Sequence, residues 1–171
     1  MSNALRPGQP MPELDLERVG GGKARVGGKG RWQLVVVYRG KHCPICKSYL
    51  ANLEQLRGEF AKLGTEVVAI SADPKEKAEP HVAEIGLTVP VGYGLSLEQM
   101  RALGLYISDP RDASETDRPF AEPGLFVVNP EGLVQAVDRS NAPWARPDLA
   151  MVARGIGVVQ TKFPQIRGTA R

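Results

Sequence analysis

Along the chain, continuous apolar runs alternate with stretches in which apolar residues recur every three or four positions. After a Pro- and Gly-rich lead-in over 5–12, Glu13–Glu17 alternates polar and apolar and predicts an edge strand. Lys23–Val26, bracketed by Gly20-Gly21-Gly22 and Gly27-Gly28, predicts a short hairpin with it. Leu34-Val35-Val36-Val37, within Trp32–Tyr38, has no polar face, the pattern of a strand buried on both sides of a sheet. Leu50, Leu53, Leu56, Phe60 and Leu63 follow at helical spacing and predict one helix ending near Gly64.

Glu66–Ser71 predicts the next buried strand, and Asp73-Pro74 opens a helix over about 75–85 that Pro80 interrupts. Val89-Pro90-Val91 is a short extended piece, and Ser96 caps a helix that stops by Gly104. Gly124–Val128 is a third buried strand, joined through the turn Asn129-Pro130-Glu131-Gly132 to a partner over Leu133–Val137. Pro147 and Asp148 fit the first turn of a last helix reaching about Val159. Strands alternating with helices imply parallel pairing through right-handed crossovers, and the closing hairpin adds antiparallel strands. The expected class is α/β with a central mixed sheet. It forms a single domain over 1–171, with a core at about 5–160 and a flexible tail at about 161–171.

Length and composition change this little. The 171 residues suit one domain with a sizeable core, and a net charge of +3 spread along the chain shows no nucleic-acid signature. The opening Met1-Ser2-Asn3-Ala4 lacks a secretory apolar run, and nothing approaches the ~20 apolar residues of a membrane span, so a cytoplasmic location without membrane attachment is expected. The two cysteines sit three positions apart, which argues for redox or metal chemistry rather than a disulfide framework.

Their context favours redox. A buried strand ends at Tyr38, Arg39-Gly40-Lys41-His42 leads to Cys43, and Pro44 starts a helix, where its missing N–H costs nothing. Cys43 then lies at the N-cap and Cys46 in the first turn, facing free amides and the positive end of the helix dipole. Thiolates are stabilised there, with Arg39, Lys41 and protonated His42 adding charge in the same direction. Cys43 is expected to be the exposed nucleophile and Cys46 the shielded resolver, one turn away and able to close a disulfide. A zinc site would need about four ligands, so no metal is implied, and no flavin or nucleotide fingerprint implies a cofactor. Trp32, Trp144 and Phe126 read as packing residues and His81 as a surface helix residue. The charge-dense 109–119 loop reads as solvated or, alternatively, as a lid over the dithiol.

The stretch from Leu34 to Cys46 resembles the active-site strand, loop and helix start of the alkyl hydroperoxide reductase/thiol-specific antioxidant (peroxiredoxin-like) branch of the thioredoxin superfamily. The entry Arg6-Pro7-Gly8-Gln9-Pro10-Met11-Pro12, the strand Val67–Asp73 and the hairpin Phe126–Gly132 resemble that family too. The resemblance implies a thioredoxin-like fold, a central mixed β-sheet flanked by helices, here with an N-terminal β-hairpin extension. It implies reduction of hydroperoxides or of protein and small-molecule disulfides, recycling by an external thiol reductant, and antioxidant redox homeostasis; a homodimer stays open.

In that family's Pro-x-x-x-Thr/Ser-x-x-Cys motif, Arg39 takes the proline position, Cys43 the Thr/Ser position and Cys46 the peroxidatic one. Pro123 stands where the family usually has an arginine and resembles the cis-proline that faces a thioredoxin dithiol. Thioredoxin logic thus names Cys43 as the attacking sulfur and the peroxiredoxin alignment names Cys46; the helix start and His42 favour Cys43. A redox-sensing binding module without rapid turnover is the alternative class.

Overall fold

A computed structural model describes residues 4–171. The opening Met1-Ser2-Asn3, on which part of the targeting expectation falls, lies outside the described residues. Among the described residues nine strands run as β1 (Leu14–Arg18), β2 (Lys23–Val26), β3 (Trp32–Val37), β4 (Thr65–Ile70), β5 (Val91–Tyr93), β6 (Ile107–Ser108), β7 (Phe120–Ala121), β8 (Gly124–Val128) and β9 (Val134–Arg139). The helices are α1 (Pro44–Gln55), α2 (Arg57–Lys62), α3 (Lys75–Ile85), α4 (Leu97–Ala102) and α5 (Leu149–Thr161). Seven strands form one mixed sheet in the order β2-β1-β5-β4-β3-β8-β9, and β6 pairs with β7 beside it.

The unbroken apolar run places β3 in the interior of the sheet, parallel to β4 and antiparallel to β8. Its side chains alternate between two cores. Val35 and Val37 join Val68, Ile70, Phe126, Met100, Leu103 and Phe120 on one face. Leu34 and Val36 join Val67, Leu125, Leu50, Leu53, Phe60 and Ile156 on the other, together with Cys43 and Cys46. The dithiol is thereby anchored through α1 to the inner layer, where a fully buried Leu or Phe contributes about 2–3 kcal/mol of transfer free energy.

Several expectations need correction. The first strand is not an edge: β1 pairs with both β2 and β5, so β2 is the outer strand. The leucine stripe is carried by two helices, because the chain leaves α-geometry at Leu56 (φ −92°, ψ 1°) before α2 resumes. Pro80 does not interrupt α3, which continues through it. Ser96 caps α4 as expected, in a reciprocal capping box with Gln99. The last helix starts one residue later than its Pro-Asp signal, with the Asp148 carboxylate accepting the Met151 N–H at 3.0 Å as a cap. No helix among the described residues is long and apolar enough to cross a membrane.

Candidate active site at the start of α1

β3 delivers the chain to Tyr38, whose N–H continues the ladder to Ile70 O at 3.1 Å. Gly40 then turns at φ +140°, a value that side-chain-bearing residues rarely adopt, and a Cβ there would stand 2.5 Å from Asp73 Oδ1. The space is filled by the Asp73 carboxylate, which accepts the Lys41 N–H at 2.8 Å and ties the approach loop to the β4–α3 turn. Burial pushes the Asp73 pKa up, against the pull of that amide and of Lys77. Cys43 N–H donates to Gly40 O at 3.2 Å and closes the turn.

Cys43 is the N-cap of α1 and Pro44 its first residue, as the sequence requires. The Cys46 N–H donates to Cys43 Sγ at 3.3 Å, so the sulfur occupies the position of a capping oxygen. The expectation of an exposed Cys43 is corrected: it is only 2% exposed and Cys46 0%. The sulfurs are unbonded and close enough to interact. The Cys43 pKa is pulled down to about 6, first by hydrogen bonding from the Cys46 thiol, then by the Cys46 amide and the Arg39 guanidinium, which together outweigh burial. Cys46 is driven up by the same shared hydrogen bond and by burial, with Arg146 opposing.

The two sulfurs have different cations. Arg39, just past the end of β3, lowers the Cys43 pKa, and its guanidinium lies 4.8 Å from the Phe120 ring centre with its Nε 3.1 Å from Glu122 Oε2. Arg146, from the β9–α5 loop, brings Nη1 to 3.5 Å from Cys46 Sγ. Its guanidinium lies over Tyr49 at 4.2 Å from the ring centre, and the Tyr49 hydroxyl donates to Pro147 O at 2.7 Å. Its Nε and Nη2 are buried without partners. Arg146 is absent from the sequence reading. It lies 100 residues from Cys46, and nothing local in Pro143–Pro147 marks it.

The other expected site residues divide. At His42 burial first, and Arg39 next, push the pKa down, and its ring packs edge-on against Phe120 at 4.6 Å. Pro123 lies buried between β7 and β8, but no described peptide bond is cis, so the likeness to a cis-proline fails. His81 is not a surface residue; it is 1% exposed beneath the site against Tyr38, at 5.9 Å. Trp144 does not pack and is 76% exposed, whereas Phe126 lies in the core on one face of the sheet and Trp32 packs against the core on the other. The 109–119 loop is not simply solvated, since Thr116 is buried and Glu115 is folded inward on Arg111 at 2.6 Å.

With this geometry in hand, likenesses to known proteins are informative. The AhpC/TSA family profile matches residues 7–137. Alkyl hydroperoxide reductase C of Amphibacillus xylanus is 28% identical over 117 residues, covering 64% of this chain and 56% of that protein. The chain spans just over half the length of the curated relatives it matches. Among solved structures, a peroxiredoxin-like protein from Aquifex aeolicus superposes with a TM-score of 0.75 at 17% identity, covering 90% of this chain and 87% of that one. Mycobacterium bovis AhpC gives 0.74 at 17% identity, covering 98% and 99%. These neighbours share the thioredoxin-like fold.

Proposed function

This chain belongs to the AhpC/TSA family, and from that premise we propose that it is a thiol-dependent peroxidase working through Cys43 and Cys46. The observation that carries the reading is the Cys43 sulfur, seated on the first amide of α1 with its pKa near 6. At neutral pH such a thiol is mostly thiolate, the form that attacks. Cys43 attacks the outer oxygen of a hydroperoxide, the O–O bond breaks, and the alcohol leaves with a proton from solvent. Cys43 is left as a sulfenic acid. Cys46 displaces its hydroxyl, the S–S bond forms, and the Cys46 proton departs in water. An external thiol reductant returns two electrons and one proton and so restores the Cys43 thiolate and the Cys46 thiol, as a reducing cytoplasm would allow. Attack on a disulfide follows the same order through a mixed disulfide.

A second reading has one observation in its favour. Arg146 at 3.5 Å from Cys46 Sγ suits Cys46 as the attacking sulfur, with Cys43 resolving. Stopped-flow oxidation of the reduced protein by hydrogen peroxide, with Cys43→Ser and Cys46→Ser alongside, separates the readings. The expected result is oxidation orders of magnitude faster than free cysteine, with Cys46→Ser still consuming one peroxide. Consumption by Cys43→Ser instead selects the second reading. Wild-type oxidation no faster than an ordinary thiol overturns the peroxidase and leaves disulfide exchange or a redox-sensing module.

A further inference from the structure

The Arg39 guanidinium has two acceptors, and its geometry satisfies neither fully. Arg39 Nη2 donates to Glu122 Oε1 at 3.3 Å, a long bond. Nε and Oε2 approach to 3.1 Å as opposite charges, yet their angle falls outside hydrogen bonding and both atoms count as unpartnered. A guanidinium committed to a carboxylate makes two parallel bonds. This one makes a single long bond to Glu122, and the Cys43 sulfur also acts on its charge. The pair is secluded, with Arg39 18% and Glu122 4% exposed, so each charge needs a counter-charge. Glu122 is held from beyond by the Ser108 hydroxyl, which donates to Oε1 at 2.8 Å. The other groups around Arg39 are Cys46, His42 and Glu115.

We propose that Glu122 is a positioning residue that sets the reduction potential of the Cys43–Cys46 couple by sharing Arg39 with the Cys43 sulfur. The inference rests on the dithiol being redox-active. Reduction takes the disulfide, two electrons and one proton to a Cys43 thiolate and a Cys46 thiol. In the reduced state Arg39 has two anions, Cys43 and Glu122. In the disulfide state the sulfur carries no charge, and Glu122 is the counter-ion that keeps a buried guanidinium paired. Glu122 therefore stabilises the oxidised form and, by repulsion, disfavours the thiolate. Removing its charge makes the disulfide a stronger oxidant and Cys43 a stronger acid.

The test uses the full chain with Glu122→Gln, Glu122→Asp and Ser108→Ala. Each is equilibrated in glutathione redox buffers, and the thiolate is titrated by its absorbance at 240 nm. Glu122→Gln is expected to shift the dithiol–disulfide equilibrium about tenfold toward the dithiol, which is about 30 mV, and to lower the Cys43 titration midpoint by about one unit. Glu122→Asp restores wild-type behaviour. Ser108→Ala moves both quantities the same way by a smaller amount and keeps the test alive should Glu122→Gln fail to fold. A fall in melting temperature with potential and midpoint unchanged overturns the proposal, as does a raised midpoint, which would mean that Glu122 only holds Arg39 in place. A wild type in which no Cys43–Cys46 couple titrates overturns the proposed function itself.

Discussion

His81 gives a quantitative test of how α3 is seated beneath the dithiol. Its side chain is 1% exposed, and neither ring nitrogen has a partner. Burial, with smaller contributions from Lys41, Lys47 and His42 against Glu84, holds its pKa down to about 4. In the unfolded chain the imidazole takes its proton near pH 6.5. Between these values the unfolded state binds more protons, so stability is full above about pH 6.5 and is lost as the pH falls toward 4. At about 1.4 kcal/mol per unit, the whole window is worth about 3 kcal/mol.

His81→Leu keeps an apolar volume beside Tyr38 and removes both the titration and a buried N–H that costs about 1–3 kcal/mol unpaired. The variant should equal or exceed wild type at pH 7. Urea unfolding of the reduced proteins should then show wild type losing about 1 kcal/mol more than the variant by pH 5.5 and about 2–3 kcal/mol more by pH 4.5, with unchanged m values. Asp73, whose raised pKa acts in the opposite sense, is common to both proteins and cancels. Parallel stability curves from pH 7 to 4.5 would refute the reasoning.

Arg39→Met should raise the pH midpoint of Cys43 alkylation by about one unit, since a guanidinium beside a thiolate at an effective dielectric of about 40 is worth 1–2 kcal/mol. Iodoacetamide then reacts about twofold slower at pH 7 and about fivefold slower at pH 6, and an unmoved midpoint rules the contact out. Gly40→Ala forces a Cβ against Asp73 at a positive φ; a loss of at least about 2 kcal/mol is expected in thermal unfolding, and no loss would mean the turn is soft. Arg146→Met should slow closure of the disulfide from the Cys43 sulfenic acid and leave the peroxide step alone. Dimedone trapping reads this directly, and a slowed first step would instead support attack by Cys46.

What the sequence disclosed and what it concealed have physical reasons. The β3 run, the Pro44 start, the Cys43 cap and the Ser96 box are local signals, set by a few adjacent residues, and all are in place. The likeness over 34–46 reached the family because that segment joins strand, turn and helix start in one stretch. The misread residues depend on contacts far along the chain. His81 is buried because α3 turns that face onto Tyr38, and Trp144 is exposed because its loop turns Arg146, not the indole, inward. Arg146 and Glu122 lie 100 and 83 residues from the groups they serve, so no pattern in a single sequence couples them. Cys43 looked open because helix starts commonly are, but here the chain around it closes over the sulfur.

The unlike placement of the two tryptophans has a practical consequence. Trp32 lies against the inner core at the start of β3, whereas Trp144 stands 76% exposed two residues before Arg146. The chain therefore contains its own pair of optical probes. Trp144 emission, red-shifted and open to iodide quenching, should follow the β9–α5 loop as the neighbouring sulfurs change bonding, while the half-buried Trp32, packed against the core, serves as an internal reference. A single unlabelled sample could thus yield the timing of loop motion through one oxidation cycle.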